Sequence, residues 1–401
     1  MRILFVTQWF QPEPFFKGLP FAKKLKELGH DVEVLTGFPN YPGGTLYSGY
    51  RVRLYQREVM QGIPIHRVPL FPSHDRSGLK RIINYLSFSL SALFLGPFMV
   101  RKPDVVYVYN LVTLAWAAVI LKKLHRCKIV FDIQDLWPES VSNSGMLANS
   151  LCLHILKKWC DWAYRRADKI AVLSPGFKSA LVERGVSKNR IEVIYNWCEE
   201  IGNSPWKREG GLADQFHINH TFNVVFAGTM GVLQGLDTVL ETARLAMRDL
   251  PDSRFVLVGG GTEVDRLKAK AVQMCLDNLI FIPRLPPHQM GMIWAVADIL
   301  LVHLVDDPLF RITIPSKTQA YLSTGIPIVM AVRGDAADLL SRSQAGCTCP
   351  PENPTAMLAA VKRLHDMPIS GRKRLGRNGK QFYERSLSFG RGCQKFLELF
   401  A

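Results

Sequence analysis

The stretch IVFDIQDLWPES, residues 129–140, passes from a continuous apolar run straight into side chains that a protein interior has no reason to hold. Ile129, Val130 and Phe131 suit a strand covered on both faces by helices. Asp132, Gln134, Asp135, Trp137, Pro138 and Glu139 follow at once. A polar switch of this kind at the carboxyl end of a parallel strand is where open α/β sheets keep their ligands. The structural alternative for any one residue is that Asp135 or Glu139 caps the next helix and Trp137 fills a core.

Outward from this stretch the chain alternates strands and helices. Residues 2–7 read as a first strand, 20–28 as a helix with Phe21, Leu25 and Leu28 on one face, and Gly29 as its C-cap. Residues 31–35 complete a βαβ unit whose connecting loop lacks GxGxxG, which argues against a nicotinamide site. Residues 105–109, 169–174 and 191–195 read as further strands, with helices near 111–125 and 146–166. The turn-rich loop TGFPNYPGG, residues 36–44, follows the second strand on the same sheet edge as the opening stretch, which makes Asn40 and Tyr41 candidates for the same site.

Glycine, proline and asparagine between 199 and 220 break the periodicity, so residues 1–200 read as one domain and 201–220 as a linker. Residues 221–371 repeat the pattern, with strands at 222–228, 254–259, 279–283, 297–304 and 326–332. A long basic helical stretch, 372–401, closes the chain, with a bend expected at Gly390-Arg391-Gly392 and its last part reaching back towards the first domain.

Length and composition agree with two globular domains. The chain has 401 residues, 48% hydrophobic and 21% charged, and a net charge of +16. Such a surplus calls for an anionic partner. The basic residues are scattered and carry no nucleic-acid signature, so an anionic membrane surface fits better than nucleic acid. Eight cysteines without a CxxC pair read as reduced thiols, and no zinc spacing is present. The first strand leaves no place for a signal-type segment, so a cytoplasmic protein is expected. Residues 82–100 are free of charge and about long enough to span a bilayer, but Asn84, three serines and Gly96-Pro97 favour a crossover helix with one face able to dip into headgroups.

In the second half, Gly228 to Gly235 and Gly259 to Gly261 follow strands and open helices, where backbone N–H groups meet phosphate. Turn glycines without a ligand are the plain alternative. In Ile314-Pro315-Ser316-Lys317 the lysine stands in a first helical turn, where the helix dipole disfavours a cation and a bound anion would resolve the conflict. Otherwise Lys317 snorkels to solvent.

As a set, GHDVEVLTGFPNYP (29–42), VFDIQDLWPES (130–140), FAGTMGVLQGLDTVLETA (226–243), FVLVGGGTE (255–263), ADILLVHL (297–304) and IPSKTQAYLSTGIPIVMA (314–331) resemble the family 4 retaining glycosyltransferases. The resemblance is strongest to the O-antigen and capsule subgroup, which transfers N-acetyl-L-fucosamine or related N-acetylated sugars. It implies a GT-B fold: two facing, Rossmann-like, doubly wound parallel-sheet domains with an interdomain cleft. It further implies a UDP-sugar donor on the second domain, an undecaprenyl-diphosphate-linked saccharide acceptor on the first, and no cofactor or bound metal. The enzyme would be peripheral on the inner face of the cytoplasmic membrane.

Carried onto this chain, the resemblance makes Asp135, Asn110 and Glu139 the catalytic candidates. Gly228, Gly231, Gln234, Gly235, Gly260, Arg284, Ser316, Lys317 and Gln319 become donor-binding candidates, and Asn40, Tyr41 and Trp137 acceptor-binding ones. Departures from the family pattern are Thr229 and Gln234 where Arg and Lys are common, Gln134 where a His often stands, and only Gly18 in the amino-terminal loop. Ile312 and Ala320 stand where a Glu pair is common, which leaves Gln319 as the substitute for the ribose carboxylate. A UDP-sugar 2-epimerase of the same fold and a silent scaffold of a polysaccharide assembly complex are the alternative functions.

Overall fold

A computed structural model describes residues 1–73, 78–143, 149–198 and 212–401. The chain divides into two compact units, Met1–Ile194 with Cys393–Ala401, and Tyr195–Gly392. The expected linker lies outside the described residues as far as 211, as does the expected helix start near 146.

Unit 1 runs β1 (Arg2–Val6), α1 (Leu19–Glu27), β2 (Asp31–Gly37), β3 (Gln56–Met60), β4 (Ile63–Val68), α2 (Gly78–Met99) and β5 (Val105–Tyr109). It continues with α3 (Ala115–His125), β6 (Lys128–Ile133), α4 (Glu139–Asn143), α5 (Ser150–Arg166), β7 (Lys169–Val172), α6 (Pro175–Glu183) and β8 (Ile191–Val193). The sheet order is β3-β4-β2-β1-β5-β6-β7-β8, and β3 alone is antiparallel to its neighbour. The order reverses between β1 and β5, so the loops after these two strands open the crevice where ligands of doubly wound sheets bind.

Strands β3 and β4 escape the hydrophobic pattern for a physical reason. β4 carries the fully buried Arg67, which donates to the carbonyls of Gly37 (2.8 Å) and Gln11 (2.5 Å) and to the Glu58 carboxylate of β3 (2.5 Å). A charge satisfied in this way is stable inside, yet it interrupts any apolar alternation.

Helix α2 runs unbroken through Gly96 and Pro97 to Met99. Its inner face, Asn84, Tyr85, Phe88, Ser89, Ala92 and Gly96, is buried on the sheet. That packing settles residues 82–100 as a crossover helix in this fold.

The core of unit 1 is aromatic: the Phe21 ring lies 5.3 Å from that of Phe396, and Tyr107 lies 5.5 Å from both Phe396 and Phe400. The last nine residues thus belong to this unit, with Cys393, Phe396, Leu399 and Phe400 in its interior, and Lys128 donates to the Ala401 carbonyl.

Unit 2 runs α7 (Leu212–Gln215), β9 (Phe222–Thr229), α8 (Asp237–Asp249), β10 (Ser253–Gly260), α9 (Val264–Gln273), β11 (Leu279–Pro283) and α10 (Met290–Val296). Then come β12 (Ile299–His303), α11 (Pro308–Arg311), α12 (Ser316–Thr324), β13 (Ile328–Ala331), α13 (Asp335–Ser343), β14 (Gly346–Cys349), α14 (Pro354–His365), α15 (Ile369–Ser386) and the first residues of α16 (Phe389–Phe400), which from Cys393 on belongs to unit 1. Its six strands are parallel in the order β11-β10-β9-β12-β13-β14.

Side chains alternate between the two faces with the strand period of two. Val225, Val256, Leu300 and Met330 fill one core, while Val224, Phe226, Leu257 and Leu301 fill the other. The closing basic stretch is two helices, parted at Leu387 and Ser388 and not at the glycines expected to bend it. Gly392 lies inside α16, where a Cβ would come within 2.4 Å of the Trp197 ring. Close packing, not a bend, is what this glycine serves.

Candidate functional site

In unit 2 the carboxyl ends of β9 and β10 and the start of α12 enclose a cavity of 530 Å³. Its floor is two glycine-bearing strand ends in register, Gly259 beside Gly228 and Gly260 beside Thr229. They lie so close that a Cβ on Gly259 (φ 145°) would sit 1.9 Å from the Gly228 carbonyl oxygen, and one on Gly261 (φ 155°) 2.2 Å from that of Met230. Only glycine tolerates both that backbone conformation and that approach. The Tyr321 hydroxyl fixes the end of β9, accepting from the Ala227 N–H at 2.7 Å and donating to the Ala227 carbonyl at 3.0 Å.

Lys317 enters this cavity from the first turn of α12. Its Nζ is buried without a hydrogen-bond partner among the described residues, 3.7 Å above the centre of the Phe226 ring. Burial with no counterion lowers the ammonium to a pKa of about 7. A cation held there by a ring face is opposed by the helix dipole, a conflict that an anion would relieve. The indole N–H of Trp294, on another wall, is likewise buried and has no partner among the described residues.

Of the nine donor-site candidates, the cavity brings together Gly228, Gly260, Arg284 and Lys317. Gly231, Gln234 and Gly235 form the adjoining turn: the Gln234 amide oxygen accepts from the Gly231 N–H at 2.9 Å, and Gly235 takes a left-handed φ of 53°. Sequence reasoning passed over what holds that turn. His303, at the end of β12, donates from Nδ1 to the Gln234 carbonyl at 2.7 Å and accepts the Glu352 N–H at Nε2, 3.0 Å away. Burial keeps this imidazole neutral by lowering its pKa, which suits that pair of roles.

Ser316 is exposed and outside the lining. Gln319, expected to replace a ribose carboxylate, is 2% exposed, and its amide nitrogen faces the Pro315 and Ser316 carbonyls at 3.0 Å. Its side chain serves the helix start, whereas Ala320 faces the cavity. Tyr321, Trp294, Met290 and Leu285 also line it, and none was a candidate, because apolar residues inside helical or strand-like runs carry no signal of their own.

In unit 1 the loops after β1, β2, β5 and β6 meet around three buried ionisable side chains, Glu13, Lys17 and Asp132. The Glu13 carboxylate accepts the N–H groups of Asn40 and Tyr41, both at 2.8 Å, and of Phe10 at 3.0 Å. Burial outweighs these bonds and raises its pKa to about 7. Lys17 donates to Asp132 at 2.5 Å inside the protein, and Asp132 also accepts from the Tyr107 hydroxyl at 2.6 Å and the Gln134 amide at 2.5 Å. Burial lowers the Lys17 ammonium below the ordinary lysine range, and the Asp132 carboxylate opposes that shift.

Asp132 of the opening stretch is therefore the anchor that sets the β6 loop, and Asp135 beyond it carries the accessible carboxyl. Asp135 is exposed, and partial desolvation by the surrounding protein raises its pKa above the ordinary value. Asn110 follows β5 in the left-handed region (φ 71°), with its N–H on the Asp132 carbonyl at 3.0 Å. Asparagine is among the few residues that accept that conformation.

Three candidates have structural employment. Glu139 forms a bidentate ion pair with Arg184, which also donates to the Trp137 carbonyl at 2.7 Å. Asn40 is buried, its amide donating to the Phe38 carbonyl at 3.0 Å and accepting from Asn84 at 3.4 Å. The Tyr41 carbonyl accepts from the Tyr47 hydroxyl at 2.8 Å, while the Tyr41 ring stands 5.8 Å from both Trp9 and Phe15. Trp137 lies 6.2 Å from Tyr85.

Residues 19–197 match the glycosyl transferase 4-like domain and residues 221–367 the glycosyl transferases group 1. The chain is 24% identical over 249 residues to the probable glycosyltransferase WbjE of Pseudomonas aeruginosa. It is 27% identical over 267 residues to the putative colanic acid biosynthesis glycosyl transferase WcaI of Escherichia coli K12. The matches span 61% and 64% of this chain, and the same shares of those two relatives.

Among solved structures, Anabaena Alr3699/HepE in complex with UDP superposes with a TM-score of 0.70 at 14% identity over 99% of both chains. The E. coli trehalose-6-phosphate structure bound with UDP-2-fluoro glucose gives 0.72 at 14% identity, over 100% of this chain and 99% of the other. At such identities the likeness is one of fold, the two-domain GT-B arrangement of parallel sheets.

Proposed function

We propose that this chain, which belongs in both its halves to the glycosyltransferases of GT-B fold, transfers a sugar from a UDP-sugar with retention of configuration. The donor sugar is an N-acetylated hexosamine such as N-acetylfucosamine. The acceptor is a saccharide on undecaprenyl diphosphate at the cytoplasmic side of the membrane, in O-antigen, capsule or exopolysaccharide assembly. The observation that carries the reading is the buried Lys317 ammonium above the glycine floor of β9 and β10, with no hydrogen-bond partner among the described residues.

A diphosphate in the unit 2 cavity would take the Lys317 charge and the N–H groups beyond Gly228 and Gly259, so that negative charge growing on the leaving group is met by donors already in place. The uridine would lie towards Arg284 and Trp294. On unit 1, Asp135 and Asn110 would position the acceptor hydroxyl and the reacting sugar, and the aromatic rings near Tyr41 and Trp137 would hold the acceptor saccharide. In this reading the transfer needs no bound metal, and the leaving diphosphate itself helps to deprotonate the acceptor. The complexes of HepE with UDP and with UDP-glucose support the donor class.

Incubation with a panel of UDP-sugars, with and without a lipid-linked N-acetylglucosamine acceptor, tests this. Sugar transfer only when the acceptor is present is expected. Conversion of the donor without an acceptor would instead make the protein an epimerase, and no turnover of any donor would leave it a scaffold.

A further inference from the structure

The exposed residues of α2 form a second face that nothing among the described residues covers. Leu79, Ile83, Leu86, Leu90, Phe94 and Phe98 are spaced by three or four, the pattern of one stripe along a helix. All are open to solvent, Phe94 at 66% and Phe98 at 84%. The stripe continues sideways through Trp116, Ile120 and Leu124 on α3 and Leu151 and Ile155 on α5. Right-handed crossovers from β4 to β5, β5 to β6 and β6 to β7 set these three helices on one side of the sheet. Helix α2 packs along α3, and Trp116 stands 5.2 Å from Trp159 of α5.

We infer that this three-helix face of unit 1 docks on an anionic lipid surface. Exposed apolar side chains gathered on neighbouring helices in this way call for a partner. Charge decides which one. Helices α2, α3 and α5 carry Lys80, Arg81, Lys122, Lys123, Lys157, Lys158, Arg165 and Arg166 against a single acid of their own, Asp161, with Lys122 paired to Asp168 just beyond α5. A second copy docked about a two-fold axis would set this positive charge against itself, whereas anionic headgroups neutralise it while acyl chains receive the apolar stripe. Although α2 is long and apolar enough to cross a bilayer, its opposite face is held by the sheet, so it lies in the interface and does not span.

The two faces of α2 join the surface to the loops of unit 1. On the inner side, Asn84 bonds to Gln8 and Asn40, and the Tyr85 ring stands 5.7 Å from Trp9 and 6.2 Å from Trp137. A helix seated in headgroups thus bears directly on the candidate acceptor loops. The docking inference itself stands on the surface alone and does not depend on the sugar-transfer reading.

The test is co-sedimentation of the full chain with vesicles of phosphatidylglycerol and phosphatidylethanolamine. Wild type should bind these at least about tenfold more strongly than phosphatidylcholine vesicles, and high salt should weaken binding. The double variant Phe94→Ser/Phe98→Ser should lose about a hundredfold in vesicle affinity, with its urea unfolding midpoint and UDP binding unchanged. Val272→Ser, at an exposed apolar position on α9, should behave as wild type. Brominated lipid should quench tryptophan emission in wild type, and less in Trp116→Phe.

Equal vesicle binding by wild type and the double variant would overturn the inference. So would a double variant that turns a dimer into a monomer in sedimentation velocity while vesicle binding stays the same, since the face would then be a contact between copies.

Discussion

Replacing Lys317 with methionine removes one buried charge while leaving the volume of the side chain nearly the same, and its two consequences should have opposite signs. The free lysine pKa of 10.5 falls to about 7 in the folded protein. Between those two values the unfolded chain binds a proton that the native state does not, so unliganded wild type loses stability as pH falls from about 10.5 to 7. At neutral pH the penalty has a ceiling of roughly 4 kcal/mol, and water entering the open cavity brings the expected gain for Lys317→Met to about 1–2 kcal/mol. Urea unfolding at pH 7 and pH 10 measures this, and the gain should shrink at the higher pH.

Binding should move the other way. A charge-assisted bond to phosphate contributes about 1.5–3 kcal/mol, so UDP affinity should drop roughly tenfold to a hundredfold in Lys317→Met. At pH 8 only about one wild-type molecule in ten carries the ammonium before binding, so diphosphate binding must draw in nearly one proton. Titration calorimetry at pH 8 in two buffers of different ionisation enthalpy reads that uptake directly, and the variant should show none from this position. Lys122→Ala, which breaks only the surface pair with Asp168, is the control. If Lys317→Met destabilises the unliganded protein and binds UDP as wild type does, the lysine is a packing residue and the anion-site argument fails.

Asp135→Asn should lower turnover by about a hundredfold or more with UDP affinity nearly unchanged, measured by steady-state kinetics beside calorimetry; an unaltered rate would remove Asp135 from the chemistry. Gly259→Ala drives a Cβ into the Gly228 carbonyl and should cost about 3 kcal/mol or more, seen as a lower urea midpoint together with lost UDP binding. His303→Leu leaves the Gln234 carbonyl and the Glu352 N–H unpaired, which should cost about 1–3 kcal/mol and weaken UDP binding through the 231–235 turn, while His303→Asn should recover part of both.

The parallel strands were legible because burial on both faces writes them as unbroken apolar runs, as in 105–109 and 328–331. Lys317 was legible because a cation in a first helical turn contradicts the helix dipole, and a contradiction marks a site more sharply than a preference does. The antiparallel edge was not legible, since buried Arg67 and its partner Glu58 look like surface residues until their bonds are seen. Asn40 and Glu139 show the converse. Polar residues in a functional loop attract suspicion, yet here one buttresses β2 and the other pairs with Arg184. His303 and Trp294 lay inside hydrophobic stretches, where one polar atom at the end of a strand or helix leaves the pattern unchanged.

The aromatic interior of unit 1, closed by Phe396 and Phe400, fixes an order of events at the ribosome. Residues 195–392 are made and can complete their own sheet while the first domain still lacks part of its centre, because Phe21 and Tyr107 wait for rings that emerge more than 280 residues later. During that interval the amino-terminal half exposes apolar surface and an incompletely covered Lys17–Asp132 pair, which makes it the half that a holding chaperone would recognise. Chain stopped after residue 392 should therefore collect as an aggregation-prone first domain joined to a folded second one, and a peptide of residues 393–401 supplied in trans should restore solubility.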